Sequence, residues 1–205
     1  MIDSFLADLR DTSVPEALAV VLGLAYSVLA VHRNRLCWIA GGTSSAILVY
    51  LFARQHLPMQ SILQVYYVGM SVYGFWHWTK QGDAAAQRPV STWPLWKHGL
   101  AWLVILGLSA LSARWLAQET QAAWPFVDSA VAWASVLSTW FVARVKIENW
   151  LYWMATDVVL VFLSVQQGLA FVALLYLGFA CIAAVGFVTW LRVLRNQQTP
   201  AVATT

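Results

Sequence analysis

Six long stretches of this chain, residues 17–32, 36–53, 55–79, 98–113, 129–143 and 158–191, contain no Lys, Arg, Asp or Glu. A helix crossing a bilayer needs about 20 mostly apolar residues, roughly 17–25. Most of the runs reach that length directly or with flanking residues that extend into the interface. The 34-residue run is too long for one span, and "QQG" at 166–168 divides it. Only 10% of the residues are charged, where a soluble domain carries about 25%, and 60% are hydrophobic. The runs are continuous rather than alternating, which argues for helices and against a barrel, because only these two satisfy every backbone hydrogen bond in lipid. The chain therefore reads as an all-α integral membrane protein with seven transmembrane helices, near 15–31, 36–53, 59–78, 98–116, 128–143, 150–165 and 169–191.

Residues 1–14 are acidic at the start and lack the basic, then apolar, order of a signal peptide; they read as an N-terminal lead-in. Residues 79–97 hold two prolines and most of the small polar residues and read as a loop. Nine of the twelve basic residues (Arg33, Arg35, Lys80, Arg88, Lys97, Arg144, Lys146, Arg192 and Arg195) fall on one side of the predicted topology. Lys and Arg collect on the cytoplasmic side. The N-terminus is thus expected outside, with the 79–97 loop and the 192–205 tail in the cytoplasm. This rule accounts for the net charge of +3, and no nucleic-acid partner is implied. Trp38, Trp78, Trp93, Trp96, Trp115, Trp124 and Trp190 lie near predicted helix ends, as an interfacial belt would require.

The sequence repeats weakly at an offset of 112. "GFWHW" at 74–78 falls on "GFVTW" at 186–190, Trp38 on Trp150, Leu57 on Leu169 and Glu16 on Asp128. The expected units are 15–78 and 128–191, joined by the linker helix 98–116. An odd number of helices in each unit, with one helix between, gives both units the same direction. This is a 3+1+3 parallel repeat, an arrangement that builds transporters with a site near the midplane. A duplicated scaffold without a path is the plainer alternative.

Asp157 lies midway along the sixth helix and is the one formally charged residue well inside a predicted span. Burying a charge there costs about 2.5–3.5 kcal/mol on insertion scales, so such residues face a bundle interior or a cavity. A helix-packing hydrogen bond is the structural alternative. At about 100° per residue, Trp150, Trp153 and Asp157 share a narrow face, which suits a flat cation held between indole and carboxylate. On the third helix Gln64, Tyr67 and Ser71 form a second stripe. A glutamine deep in a span needs a partner, although interhelical hydrogen bonding would serve. The repeat places Tyr176 where Gln64 stands. Asn149, which opens the "NWLYWMATD" stretch, and Trp38, the repeat mate of Trp150, complete the candidate binding residues. Gly23, Gly41, Gly42, Gly69, Gly74, Gly178 and Gly186 are candidates for close helix approach. Cys37 and Cys181 read as buried hydrophobes, and no metal, phosphate-loop or triad motif is present, so neither a cofactor nor a metal is expected. An embedded enzyme would call for paired histidines, paired carboxylates or a reactive cysteine. An assembly subunit would leave an intramembrane acid beside two indoles unexplained.

"NWLYWMATD" at 149–157 resembles the WxxWxxxN/D motif of the Pnu-type bacterial vitamin transporters, and "LQVYYVGMSVYGFWHW" at 63–78 and "GFVTW" at 186–190 resemble the ends of that family's two helix triplets. The resemblance covers about 15–195. It implies a seven-helix, SWEET-like 3+1+3 carrier in the bacterial inner membrane that assembles as a homotrimer. Such a carrier moves an unphosphorylated vitamin by facilitated diffusion, and a separate cytoplasmic kinase traps the product. The motif lands on Trp150, Trp153 and Asp157, with Gln64 and Tyr67 as polar contacts. The riboside carriers of the family end the motif in Asn, whereas this chain has Asp157. Nicotinamide riboside is the first expectation for the substrate and thiamine the second.

Overall fold

A computed structural model describes residues 13–54, 58–81, 88–119 and 124–198. It consists of seven helices: α1 Val14–Val31, α2 Leu36–Arg54, α3 Pro58–Lys80, α4 Leu95–Glu119, α5 Pro125–Ala143, α6 Asn149–Gln166 and α7 Ala170–Gln198. Of the sequence-predicted segments, residues 1–12 of the lead-in, 82–87 of the loop and 199–205 of the tail lie outside the described residues, as does Leu57. Five helices, α1, α2, α4, α5 and α7, are long and apolar enough to cross a membrane. The two that fall short of the expected seven are α3 and α6. They carry Gln64, Tyr67 and Ser71, and Asn149 and Asp157, so the residues singled out as functional are among those that lower their hydropathy.

The local signals are explicit in the sequence. Ser13 caps α1 with a complete capping box: its hydroxyl accepts from the Glu16 amide and the Glu16 carboxylate accepts from the Ser13 amide, with Pro15 in the first turn. Helices α1, α5 and α6 end alike. A residue in the left-handed region follows each: Arg33 at φ 53°, Val145 at φ 52° and Gly168 at φ 74°. In each, the next amide donates back across the turn: Asn34 to Leu29, Lys146 to Phe141 and Leu169 to Ser164, at 2.8–3.0 Å. Glycine is the usual occupant of such a cap. Only the third turn has one, and it is where "QQG" divides the long run. At Val145 the β-branched side chain makes this conformation costly, and the surrounding packing, which leaves Val145 1% exposed, holds it.

Six helices close a ring in the order α1, α2, α3, α5, α6, α7 and back to α1, and α4 packs outside it against α5. Lipid tails offer no hydrophobic drive between helices, so packing and hydrogen bonds hold the ring. The tightest cluster lies at the end with the Arg33 and Val145 turns, and gathers Cys37, Trp38, Trp78, Trp150 and Trp190. Trp38 crosses Trp78 edge-on at 5.5 Å and 84°, and Trp150 crosses Trp190 at 5.4 Å and 87°. Each pair closes over a glycine, Gly74 under Trp38 and Gly186 under Trp150, where an added Cβ would fall inside the indole. The outer indoles reach across the ring: Trp78 Nε1 donates to Ala143 O (3.0 Å) and Trp190 Nε1 to Val31 O (2.9 Å). Val31 and Ala143 are the last residues of α1 and α5, whose final carbonyls lack helical partners. Every pair in this description is related by the offset of 112.

These contacts correct part of the interfacial-belt expectation. Trp38, Trp78 and Trp190 are buried at 2%, 0% and 0% exposure, because their rings fill glycine notches and two of their N–H groups serve helix ends. Trp96, Trp115 and Trp124 are exposed, as that expectation has them. Gly69 and Gly178 have nothing within 4 Å of a Cβ and so mark no close approach.

The segment after α3 straps the same end. Arg88 is 1% exposed and lies over the Trp78 ring. Its guanidinium donates to Arg33 O (3.0 and 2.7 Å) and to Trp78 O (3.2 Å), while Arg33 donates back to Arg88 O. Burial and the neighbouring Arg88 charge push the Arg33 guanidinium below its ordinary pKa. Three residues on, Ser91 forms a single parallel bridge to the α5–α6 turn, its amide donating to Val145 O and its carbonyl accepting from Ile147, both at 3.1 Å.

Candidate functional site

The ring encloses a cavity of about 450 Å³, within the roughly 300–1,000 Å³ of small-molecule sites. All six ring helices line it. Of the nine residues selected from sequence, eight lie on its wall: Trp38, Gln64, Tyr67, Ser71, Trp150, Trp153, Asp157 and Tyr176. Asn149 does not. It is fully buried at the start of α6, where its side-chain amide donates to Lys146 O at 2.6 Å.

Helix rise sets the depth of each group. Trp38 and Trp150 sit at the end beside the Arg33 and Val145 turns and form the floor. Asp157 is seven residues further along α6 than Trp150, about 10 Å up at 1.5 Å per residue. Trp153 lies between them on the same face. Asp157 is 5% exposed, and among the described residues no hydrogen bond or ion pair reaches its carboxyl; Tyr176 is close enough to interact with it electrostatically. Gln64, 9% exposed, likewise has no hydrogen-bond partner among the described residues. Buried polar groups are nearly always satisfied by protein or water, so a carboxyl and a carboxamide left open toward one chamber are available to water or to a ligand there. Elsewhere the wall satisfies itself: Ser71 donates to Tyr67 O (2.8 Å), Tyr67 shares a hydrogen bond with Ser135, and Ser44 donates to Ala19 O (2.7 Å).

The two floor indoles differ from flat stacking platforms. Trp38 and Trp150 are locked edge-on by Trp78 and Trp190, and their N–H groups are buried without a partner in the structure. Trp153 is only partly buried; it packs against the same cluster and lines the cavity.

Charge on the wall has one sign. Asp157 and Asp128 line the cavity, and no Lys, Arg or His does among the described residues. Low-dielectric walls strengthen such a field. Where these carboxylates are ionised, such a wall favours a cation over an anion. Asp128, Ser45, Ser135, Thr139 and Gln60 were missed as wall residues. The repeat carried a signal for one of them, since the offset places Ser45 on Asp157. Ser135 and Thr139, four apart on α5, form a short polar stripe that an all-apolar reading of that helix passes over.

Residues 13–192 match the family described as nicotinamide mononucleotide transporter. The chain is 25% identical over 218 residues to the nicotinamide riboside transporter PnuC of Escherichia coli, covering 94% of this chain and 91% of that one. It is 24% identical over 173 residues to the riboflavin/roseoflavin transporter RibM of Streptomyces davaonensis, covering 83% and 81%. The crystal structure of a vitamin B3 transporter, PnuC, superposes with a TM-score of 0.73 at 17% identity, covering 95% of this chain and 88% of that one, and so shares the fold. The motif on Trp150, Trp153 and Asp157 pointed to the same family. This is a multi-pass membrane protein of a transporter family rather than an enzyme, and the chain belongs to the nicotinamide mononucleotide transporter family.

Proposed function

We propose that the protein carries nicotinamide riboside across the bacterial inner membrane by facilitated diffusion, with a separate cytoplasmic kinase trapping the product. The observation that carries this reading is the cavity wall: a buried, unpaired Asp157 beside Trp153, with no basic side chain among the lining residues. A pyridinium ring pairs with the carboxylate and lies against the indole, and the ribose hydroxyls find Gln64 and Tyr176. A phosphorylated nucleotide would bring anionic charge into the same field with nothing to neutralise it. The flavin named for the Streptomyces relative is uncharged and would leave Asp157 without a counter-ion.

The architecture proposed is seven spans in a 3+1+3 parallel repeat, N-terminus outside. The pairwise matches at offset 112 support it. They include the two Trp–Gly–Trp notches, the reciprocal indole bonds and the paired left-handed turns. Transport is by alternating access between the two triplets, in a trimer as the family resemblance implies.

Thiamine is the second reading, and Asp157 is what favours it. An ionised aspartate only accepts hydrogen bonds, and an aminopyrimidine beside a thiazolium offers both a donor and a cation. The deciding experiment is uptake into proteoliposomes of each labelled vitamin, with calorimetric titration in detergent. Saturable, ionophore-insensitive uptake of nicotinamide riboside is expected. Asp157→Asn should weaken its binding about tenfold, the loss of one desolvated charge contact of about 1.4 kcal/mol, and Asp157→Ala at least as much. Binding of neither vitamin, or unchanged affinity in both variants, overturns the assignment.

A further inference from the structure

We propose that Asp128 is a second cation-holding residue, placed at the outer mouth of the cavity, and that the carboxylate pair Asp128 and Asp157 makes the carrier select charged over uncharged forms of one vitamin. The inference rests on the transport reading above. Asp128 lies in the first turn of α5, the opposite end of that helix from the Val145 turn. It lines the same chamber as Asp157. Asp128 is 15 residues from the end of α5 and Asp157 eight from the start of α6, so the two carboxylates are separated by about 10 Å along the bundle. The same wall carries Gln64, Tyr67, Tyr176 and, level with Asp157, Ser135, and no cation among the described residues.

An acid in the first turn of a helix is common, because it complements the helix dipole, and by itself assigns nothing. Here the chamber it faces also holds Asp157, 95% buried and without a hydrogen bond or ion pair among the described residues. Two anions on one path, with none of the opposite sign between them, form a graded well. The outer one draws a cation from bulk water, and the inner one receives it where water is scarcer and each charge is worth more. An uncharged ligand of the same shape gains nothing from either.

The test uses the full-length protein in proteoliposomes and two probes, nicotinamide riboside and its reduced, uncharged dihydro form. In Asp128→Asn the KM for the cation should rise about tenfold at low ionic strength, the low end of the range over which a charged cleft concentrates its substrate. The maximal rate should stay within about twofold, and the difference should shrink at high salt. The KM for the dihydro form should not change, and Asp128→Glu should restore the cation's KM. Thermal unfolding checks that each variant is folded. If wild type moves nicotinamide riboside and Asp128→Asn matches it, or if both probes weaken equally, the proposal falls while the transport reading stands. If wild type moves neither probe, both fall.

Discussion

Gly186 is the position where one methyl group tests how the floor of the cavity is built. A Cβ placed there would lie 2.6 Å from Cδ2 and Cε2 of Trp150 and 2.7 Å from Cε3. Carbon atoms rest at about 3.5–4.0 Å, so the indole must retreat by about 1 Å. Trp190 blocks it edge-on at 5.4 Å, and Trp150 is only 3% exposed. The open direction is into the chamber. Gly178, two turns earlier on the same helix, has nothing within 4 Å of its Cβ. Both alanines share the same gain in helix propensity, up to about 1 kcal/mol. Their difference is therefore the overpacking term alone, about 1–3 kcal/mol. Gly178→Ala should unfold at or above the wild-type temperature and Gly186→Ala below Gly178→Ala, followed by thermal unfolding in detergent. Gly186→Ala should also lose affinity for the vitamin as the ring enters the cavity, and Gly178→Ala should not. Equal stability and equal affinity in the two variants would refute the notch.

The reciprocal indole bonds predict a symmetric pair of effects. Trp78→Phe and Trp190→Phe each strip a buried helix-end carbonyl of its donor and should each cost about 1–3 kcal/mol, read as a lowered unfolding temperature of similar size in both. Arg88→Met removes three bonds to backbone carbonyls but also a buried charge; a net loss of about 2–3 kcal/mol is expected, and an unchanged unfolding temperature would show that the strap is dispensable. Ser13→Ala should cost about 1 kcal/mol at the start of α1 through the lost cap, visible as faster amide exchange in its first turn.

Much of the fold was legible because membrane helices announce themselves by length and charge. The break at "QQG" and the ends of α1, α2 and α5 lie within about three residues of their predicted places, since a basic residue or a cap signal sits at each. The end of α7 did not show: it continues to Gln198, because Arg192 and Arg195 end the apolar run without ending the helix. Eight of nine candidate residues reached one cavity because helical periodicity groups a stripe whatever the neighbours are. Asn149 failed for a reason periodicity cannot register, since the first residue of a helix spends its side chain on the preceding turn. The burial of Trp38, Trp78 and Trp190 was hidden for a related reason. A tryptophan near a helix end is the same letter whether it meets headgroups or a glycine on the adjacent helix. Asp128 was seen only as a repeat mate, because an acid in a first turn carries no sign of what lies beyond it.

The crossed tryptophan bonds have a mechanical consequence. Helix α3 is fastened to the tail of α5 and helix α7 to the tail of α1, so each half of the ring grips the other at two points on opposite sides. Under the alternating access proposed above, opening at that end has to part both fastenings, since either one left intact still ties the two halves together.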